Sequence, residues 1–188
     1  MTKTDTDREI EQLERHLNKI APGIGYLVMA FNSLEHLLDT VIIEFISDDI
    51  EEIGRAVIEG VKFQAKVNLL DRLYGPLLKC IGRDALFTMF EKLKGDLRRA
   101  ADHRNDVVHA AWLEYDTARG CVPTRRKSTR EGVQVVEKQI TPREIERRRR
   151  FVERVEERLM RFDESRHTWK PANQRSHPTR VPGRHPRG

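Results

Sequence analysis

Cysteine is nearly absent from the chain. Cys80 and Cys121 are the only two in 188 residues, too few for a disulfide framework, and no Cys/His cluster has the spacing of a zinc site. Long apolar runs are missing as well. None approaches the roughly 20 residues that a membrane-crossing helix needs, and the opening MTKTDTDREIEQ carries no apolar signal region. These absences set the expectation of a cytoplasmic protein with no membrane partner, no metal and no cofactor. No internal repeat is visible, and the length suits one domain with an appended segment.

Acid is absent from two stretches. From Lys170 onward the charged residues are Lys170, Arg175, Arg180, Arg184 and Arg187, and they alone equal the chain's net charge of +5. Between Thr117 and Arg130 stand Arg119, Arg125, Arg126, Lys127 and Arg130, again without an acid. The positive charge therefore belongs to two appendages, and the body is acidic once both are set aside. Such segments suit a grip on a phosphate backbone, although solvated basic tails have the same composition.

What is present in quantity is helical spacing. Thr6 to Glu9 reads as a capping box ahead of Ile10, Leu13, Leu17 and Ile20, an amphipathic helix over 1–20 that Ala21-Pro22-Gly23 should break. A second helix follows from 24 to about 46, with Leu27, Phe31, Leu34, Leu38, Val41 and Ile42 inward. A short helix stops at Gly60, another runs from about 62 to 74 before Gly75-Pro76, and a long one from about 83 to 112. WLEYD and GVQVVEKQI read as two strands flanking the basic stretch, a hairpin at about 112–140 with a long loop. Thr141-Pro142-Arg143-Glu144 is the sharpest helix start in the chain, and the helix it opens is apolar along Ile145, Val152, Val155, Leu159 and Phe162. Its RRRR run at 147–150 has Glu144, Glu146 and Glu153 in pairing distance and reads as a solvated face. The predicted architecture is all-α: a bundle of four to five helices over 21–168 with a hairpin inserted before the last, then a disordered basic tail over 169–188.

The long fourth helix carries an anomaly. Leu86, Phe90, Leu93, Leu97, Ala101, Arg104, Val108 and Ala111 follow at steps of three or four, and one of them is an arginine. A guanidinium on an inward stripe costs several kcal/mol unless paired, and arginine cannot shed its proton to escape. Either Arg104 neutralises an acid inside the bundle, for which Glu35 on the second helix is the best placed, or it lines a cleft that takes an anion. Five residues on is His109, about 140° away round a helix, with Asn105 one turn before it. Guanidinium, amide and imidazole around one groove match a phosphodiester: the fork binds its oxygens, the imidazole moves a proton near neutral pH, and the amide orients either. Spacing alone is weak evidence, since Arg98/His103 and Arg180/His185 repeat it. Only the middle copy adds an apolar stripe and an asparagine. A metal set of Asp102, Asp106 and His109 is geometrically open but puts three ligands on one exposed face, the poorer reading. Trp112 offers a base-stacking ring or, more simply, packing at the helix end. His36 and His103 read as exposed.

RNDVVH, within this setting, resembles the signature of the HEPN superfamily: arginine, a polar residue, three more positions, histidine. The likeness extends over roughly 20–165, through an earlier helix with an acid (FNSLEHLL), the motif helix, a hairpin and a closing helix. The resemblance implies a helical bundle that dimerises to join two motifs in one cleft, and a metal-independent endoribonuclease of the toxin, phage-defence or RNA-processing kind. Inactive members make the alternative a non-catalytic RNA-binding or protein-interaction module. It assigns the catalytic pair to Arg104 and His109, the polar position to Asn105 and the earlier acid to Glu35. Contact with the RNA backbone falls to Arg125, Arg126, Lys127 and Arg130. An RNA or protein antitoxin is a further partner of such proteins. One toxin subgroup carries a tyrosine two residues after the histidine for adenylylation by a partner; here Ala111 stands there, which argues against that route.

Overall fold

The computed structural model describes residues 5–47, 51–80, 82, 84–112, 115–116, 120–121, 124–129, 132–137 and 140–166. The chain is mostly helical. In order come α1 (Asp5–Ile46), α2 (Glu51–Ile58), α3 (Phe63–Cys80), α4 (Asp84–Val108), β1 (Tyr115–Asp116), β2 (Gly120–Cys121), β3 (Thr124–Thr129), β4 (Gly132–Glu137) and α5 (Pro142–Arg166).

α1 departs most from the sequence expectation. It runs unbroken through Pro22 for 42 residues, about 63 Å at 1.5 Å per residue, so the separate helix expected over 1–20 is part of it. A proline inside a helix forfeits one hydrogen bond and crowds the carbonyl four residues before it. Here Pro22 and Asn18 both face solvent, where water can satisfy the freed carbonyl. Meanwhile Ile20 and Leu27 are buried on the opposite side and hold both halves to one core. Gly23 acts in packing, not as a breaker: a Cβ there would lie 3.2 Å from Ile145 Cγ2 on α5. In the same way α3 continues past Gly75 and an exposed Pro76 to Cys80.

Contacts set the helix directions. Phe31 meets Phe63 and Phe45 meets Tyr74, so α1 and α3 run parallel. Gly23 meets Ile145 and Ser33 bonds Glu156, so α5 also runs parallel to α1. α4 returns antiparallel, pairing Asp71 with Lys94 and Tyr74 with Phe90. Tyr74, Phe90 and Phe162 close the core with ring centroids 5.1–6.1 Å apart. Against the sequence expectation, α1 is long and apolar enough by length and composition to cross a membrane; its Leu27, Phe31, Leu34 and Leu38 are buried in this core.

β3 pairs antiparallel with β4, from Thr124 opposite Glu137 to Thr129 opposite Gly132. The basic residues Arg125, Arg126 and Lys127 therefore lie on a strand, not in the loop between two strands as the sequence suggested. A two-residue closure costs far less chain entropy than pairing 112–116 with 132–140 across a long loop. Tyr115–Asp116 pairs instead with Gly120–Cys121. Arg130 and the tail over 169–188 lie outside the described residues. α5 starts as its sequence signal requires: the Glu144 amide donates to Thr141 Oγ1 at 3.1 Å.

Candidate functional site

α4 delivers Arg104 to the bundle wall, but not quite as the stripe implied. Towards its C-terminal end the fully buried row passes through Leu97, Ala100 and Val107. Val108 is 39% exposed and Ala111 is exposed, so Arg104 stands at the border between core and solvent. The small Ala100 and Ala101 one turn earlier leave it room.

Arg104 is not neutralised by Glu35. Among the described residues no carboxylate pairs with it. Its guanidinium carbon lies 5.7 Å from the centroid of the Phe31 ring on α1, close enough for a cation–π attraction. Nη1 donates to Asn105 Oδ1 at 2.9 Å. Nε is buried with no hydrogen-bond partner, a desolvation cost of about 1–3 kcal/mol in general. A ring holds the fork from beneath and an amide holds one corner, which leaves further N–H donors uncommitted.

Glu35 is committed elsewhere. Lys66, a buried residue of α3, donates to Glu35 Oε1 at 2.9 Å and to Asp39 Oδ2 at 2.9 Å. Burial alone would lower the lysine's pKa, but the two carboxylates outweigh it and hold the ammonium above its ordinary value. The sequence offered a signal for this lysine: a charge three residues after Phe63 and one before Val67, at the edge of an apolar row.

His109 sits in the turn immediately after α4, its amide donating to the Asn105 carbonyl at 3.1 Å. The helix thus ends earlier than expected, where Ala111 leaves to bridge with Thr124. The imidazole is exposed and makes no side-chain hydrogen bond among the described residues. The structure therefore brings Arg104 and Asn105 into contact and places His109 one turn away. Trp112 packs on the helix end, donating to the Val107 carbonyl at 3.2 Å, in place of offering a free ring. Asp106 is engaged by Arg148 at 3.5 Å. No group of three metal-binding side chains is found among the described residues.

On α5, sequence reasoning missed Arg148. It was read with its neighbours as solvated, yet it is 7% exposed. It meets Glu144 at 3.0 Å, Asp106 at 3.5 Å and the His103 carbonyl at 3.5 Å. Its spacing of three from Ile145 and four to Val152 had the same stripe signal as Arg104. His103, expected to be exposed, is half-buried edge-on to Phe151, with ring centroids 5.1 Å apart. Burial first, then the charges of Arg148 and Arg99, push its pKa below the ordinary 6.5.

A hollow of about 730 Å³ opens elsewhere, between the C-terminal part of α1, α2 and the start of α3. Asp39, Glu44 and Glu59 offset Arg55 and Lys66 on its walls, so it offers a polyanion no net attraction. Arg104 does not line this hollow. No family model matches the chain, and neither a curated protein nor a solved structure does.

Proposed function

We propose that the chain is a metal-independent endoribonuclease of HEPN type, with Arg104, Asn105 and His109 as its site. One observation carries the reading: a permanent cation at the edge of the core has no carboxylate partner among the described residues, while the acid expected for it, Glu35, is tied to Lys66. A cation kept unpaired at that cost is a receptor for an anion. RNA supplies both the phosphate and the nucleophile. Its 2′-oxygen attacks phosphorus, the bond to the 5′-oxygen breaks, and a 2′,3′-cyclic phosphate and a 5′-hydroxyl form. Arg104 stabilises charge on the pentacoordinate phosphorus, and His109 takes the 2′ proton or returns one to the leaving oxygen. DNA lacks the 2′-hydroxyl and is not cut this way.

Two chains joined along α1 give a composite cleft. No charged residue falls between Lys19 and Glu35, and Tyr26 and Met29 there are 61% and 66% exposed, an uncharged face of the kind that subunits cover. The basic β3 and the tail grip the backbone around the cut. In the cell this is an RNA-cutting effector of toxin or defence type acting in the cytoplasm, and an RNA or protein antitoxin is the partner such a role would call for.

Incubation with RNA in EDTA tests the reading. Cleavage that persists and leaves 2′,3′-cyclic ends is expected, together with a fall of about 10²–10⁴-fold in His109→Ala. Normal cutting by both Arg104→Ala and His109→Ala would remove the site. A second reading draws on the exposed, unbonded imidazole: a non-catalytic RNA-binding module, which would bind RNA and leave it intact.

A further inference from the structure

Arg104, Phe31, Phe63, Lys66 and Glu35 form one connected group where α1, α3 and α4 meet. Arg104 lies over the Phe31 ring, and Phe31 meets Phe63 with centroids 4.7 Å apart. Glu35 is one helical turn beyond Phe31 on α1, and Lys66 is one turn beyond Phe63 on α3. Residues four apart on a helix are surface neighbours, which puts Glu35 one turn from the residue whose ring Arg104 covers. Left alone, the two would close an ion pair: an arginine fork matches a carboxylate in two hydrogen bonds. They do not close it. Lys66 holds Glu35 at 2.9 Å, and its other acid, Asp39, with Oδ1 at 2.8 Å, stands one further turn along α1. The lysine is 7% exposed, while the Glu35 and Asp39 side chains are 31% and 25% exposed, so the two ion pairs are partly open to solvent.

We infer that Lys66 is a positioning residue for the site: by sequestering Glu35 it keeps the Arg104 guanidinium open to a phosphate. The inference rests on the proposed function for its consequence, RNA binding. Its physical core, the competition of Lys66 and Arg104 for one carboxylate, stands independently. Without the lysine, Glu35 turns to Arg104 and the receptor neutralises itself. Asp39 loses its partner in the same variant, so loss of function alone would not separate sequestration from a general weakening of the bundle. The two acids make that separation possible. Glu35→Gln and Asp39→Asn each remove one stranded charge from the Lys66→Met background and so recover stability alike, but only Glu35→Gln removes the competitor for Arg104.

The experiment compares full-length Lys66→Met, Lys66→Met/Glu35→Gln and Lys66→Met/Asp39→Asn with the parent chain. The probe is a short RNA with 2′-O-methyl groups throughout, which binds without being cut. Lys66→Met is expected to bind it roughly tenfold more weakly, as for a lost charge-assisted contact. The Glu35→Gln double variant should recover the affinity and the Asp39→Asn double variant should not. Equal recovery in both, or none in either, overturns the inference. If the parent chain fails to bind the probe, the functional reading falls, and the Arg104 Nε–H resonance of ¹⁵N-arginine-labelled protein decides the rest. It should move in Lys66→Met and return in the Glu35→Gln double variant alone. A resonance unmoved by Lys66→Met means that no carboxylate was being held back. Should Lys66→Met not fold, Lys66→Arg is read instead. It keeps the charge and must leave affinity and resonance near those of the parent chain, whereas a tenfold loss there would refute sequestration by charge.

Discussion

Arg104 on α4 and Arg148 on α5 both interrupt inward apolar rows, and the bundle treats them in opposite ways. Arg148 is buried and surrounded: Glu144 and Asp106 neutralise it, and the His103 carbonyl accepts from it. Arg104 lies over a ring, shares one hydrogen bond with an amide and meets no acid among the described residues. The first arrangement is a structural anchor between α4 and α5. The second leaves a cation with spare donors at the edge of the fold. The same residue type at the same stripe spacing thus joins two helices in one case and, among the described residues, is left without an acid in the other. What decides is which acids are left uncommitted nearby: Glu144 and Asp106 meet Arg148, whereas Glu35 on α1 is held by Lys66 and Arg104 meets the Phe31 ring.

The comparison can be broken most forcefully through stability. Arg148→Met removes the buried cation that joins Asp106 on α4 to Glu144, which Arg147 also holds, and should cost about 1.5–3 kcal/mol in urea unfolding. Arg104→Met strands none and frees a buried Nε, so it should stay within about 1 kcal/mol of the parent chain. Equal losses would mean that Arg104 is an anchor too. Next in size is the start of α5, which carries Arg148: Thr141→Ala should cost about 1 kcal/mol, read in the same titration, by removing the cap on Glu144.

A smaller effect sharpens the seam by pH. His103 has its pKa lowered by burial and by the nearby Arg148 and Arg99, so the unfolded chain binds a proton there before the folded one does. The stability this neutral ring contributes is complete above its ordinary 6.5 and is lost as pH falls through the folded value. The melting temperature should therefore drop between about pH 7 and 5, and His103→Gln should flatten that slope; an unchanged slope would place the titration elsewhere. The smallest effect belongs to the outer arginines. Arg149 and Arg150 hold the Glu146 carboxylate at about 2, but in full solvent such pairs contribute little. Glu146→Gln should leave the melting temperature unmoved, and a clear shift would make RRRR a structural network throughout.

Much of the fold was legible because it follows from local chemistry. Apolar spacing located the helices, and Thr141 to Glu144 marked the start of α5 because capping involves neighbours in sequence alone. The breaks read at Pro22 and at Gly75-Pro76 were wrong for one reason. A proline's local cost was outweighed where it faced water and the opposite side of the helix was buried. The site was legible in part. Arg104 declared itself by being out of place, and Arg148 sent the same signal but was hidden among its charged neighbours. Of the two alternatives for Arg104, a pair with Glu35 or a place on a cleft, the first is not what the structure shows, because the acid is held by Lys66.

By itself the sequence determined the helical periodicities, the capped start of α5, the charge-free middle of α1 and the presence of a permanent cation where an aliphatic side chain is expected. These depend on spacing and side-chain chemistry, which act within a few residues. Tertiary structure alone decided which cation is matched by an acid and which is not. An ion pair is a contest among all charges that packing brings within a few ångströms, and the deciding ones, Asp106 for Arg148 and Lys66 for Glu35, come from other helices.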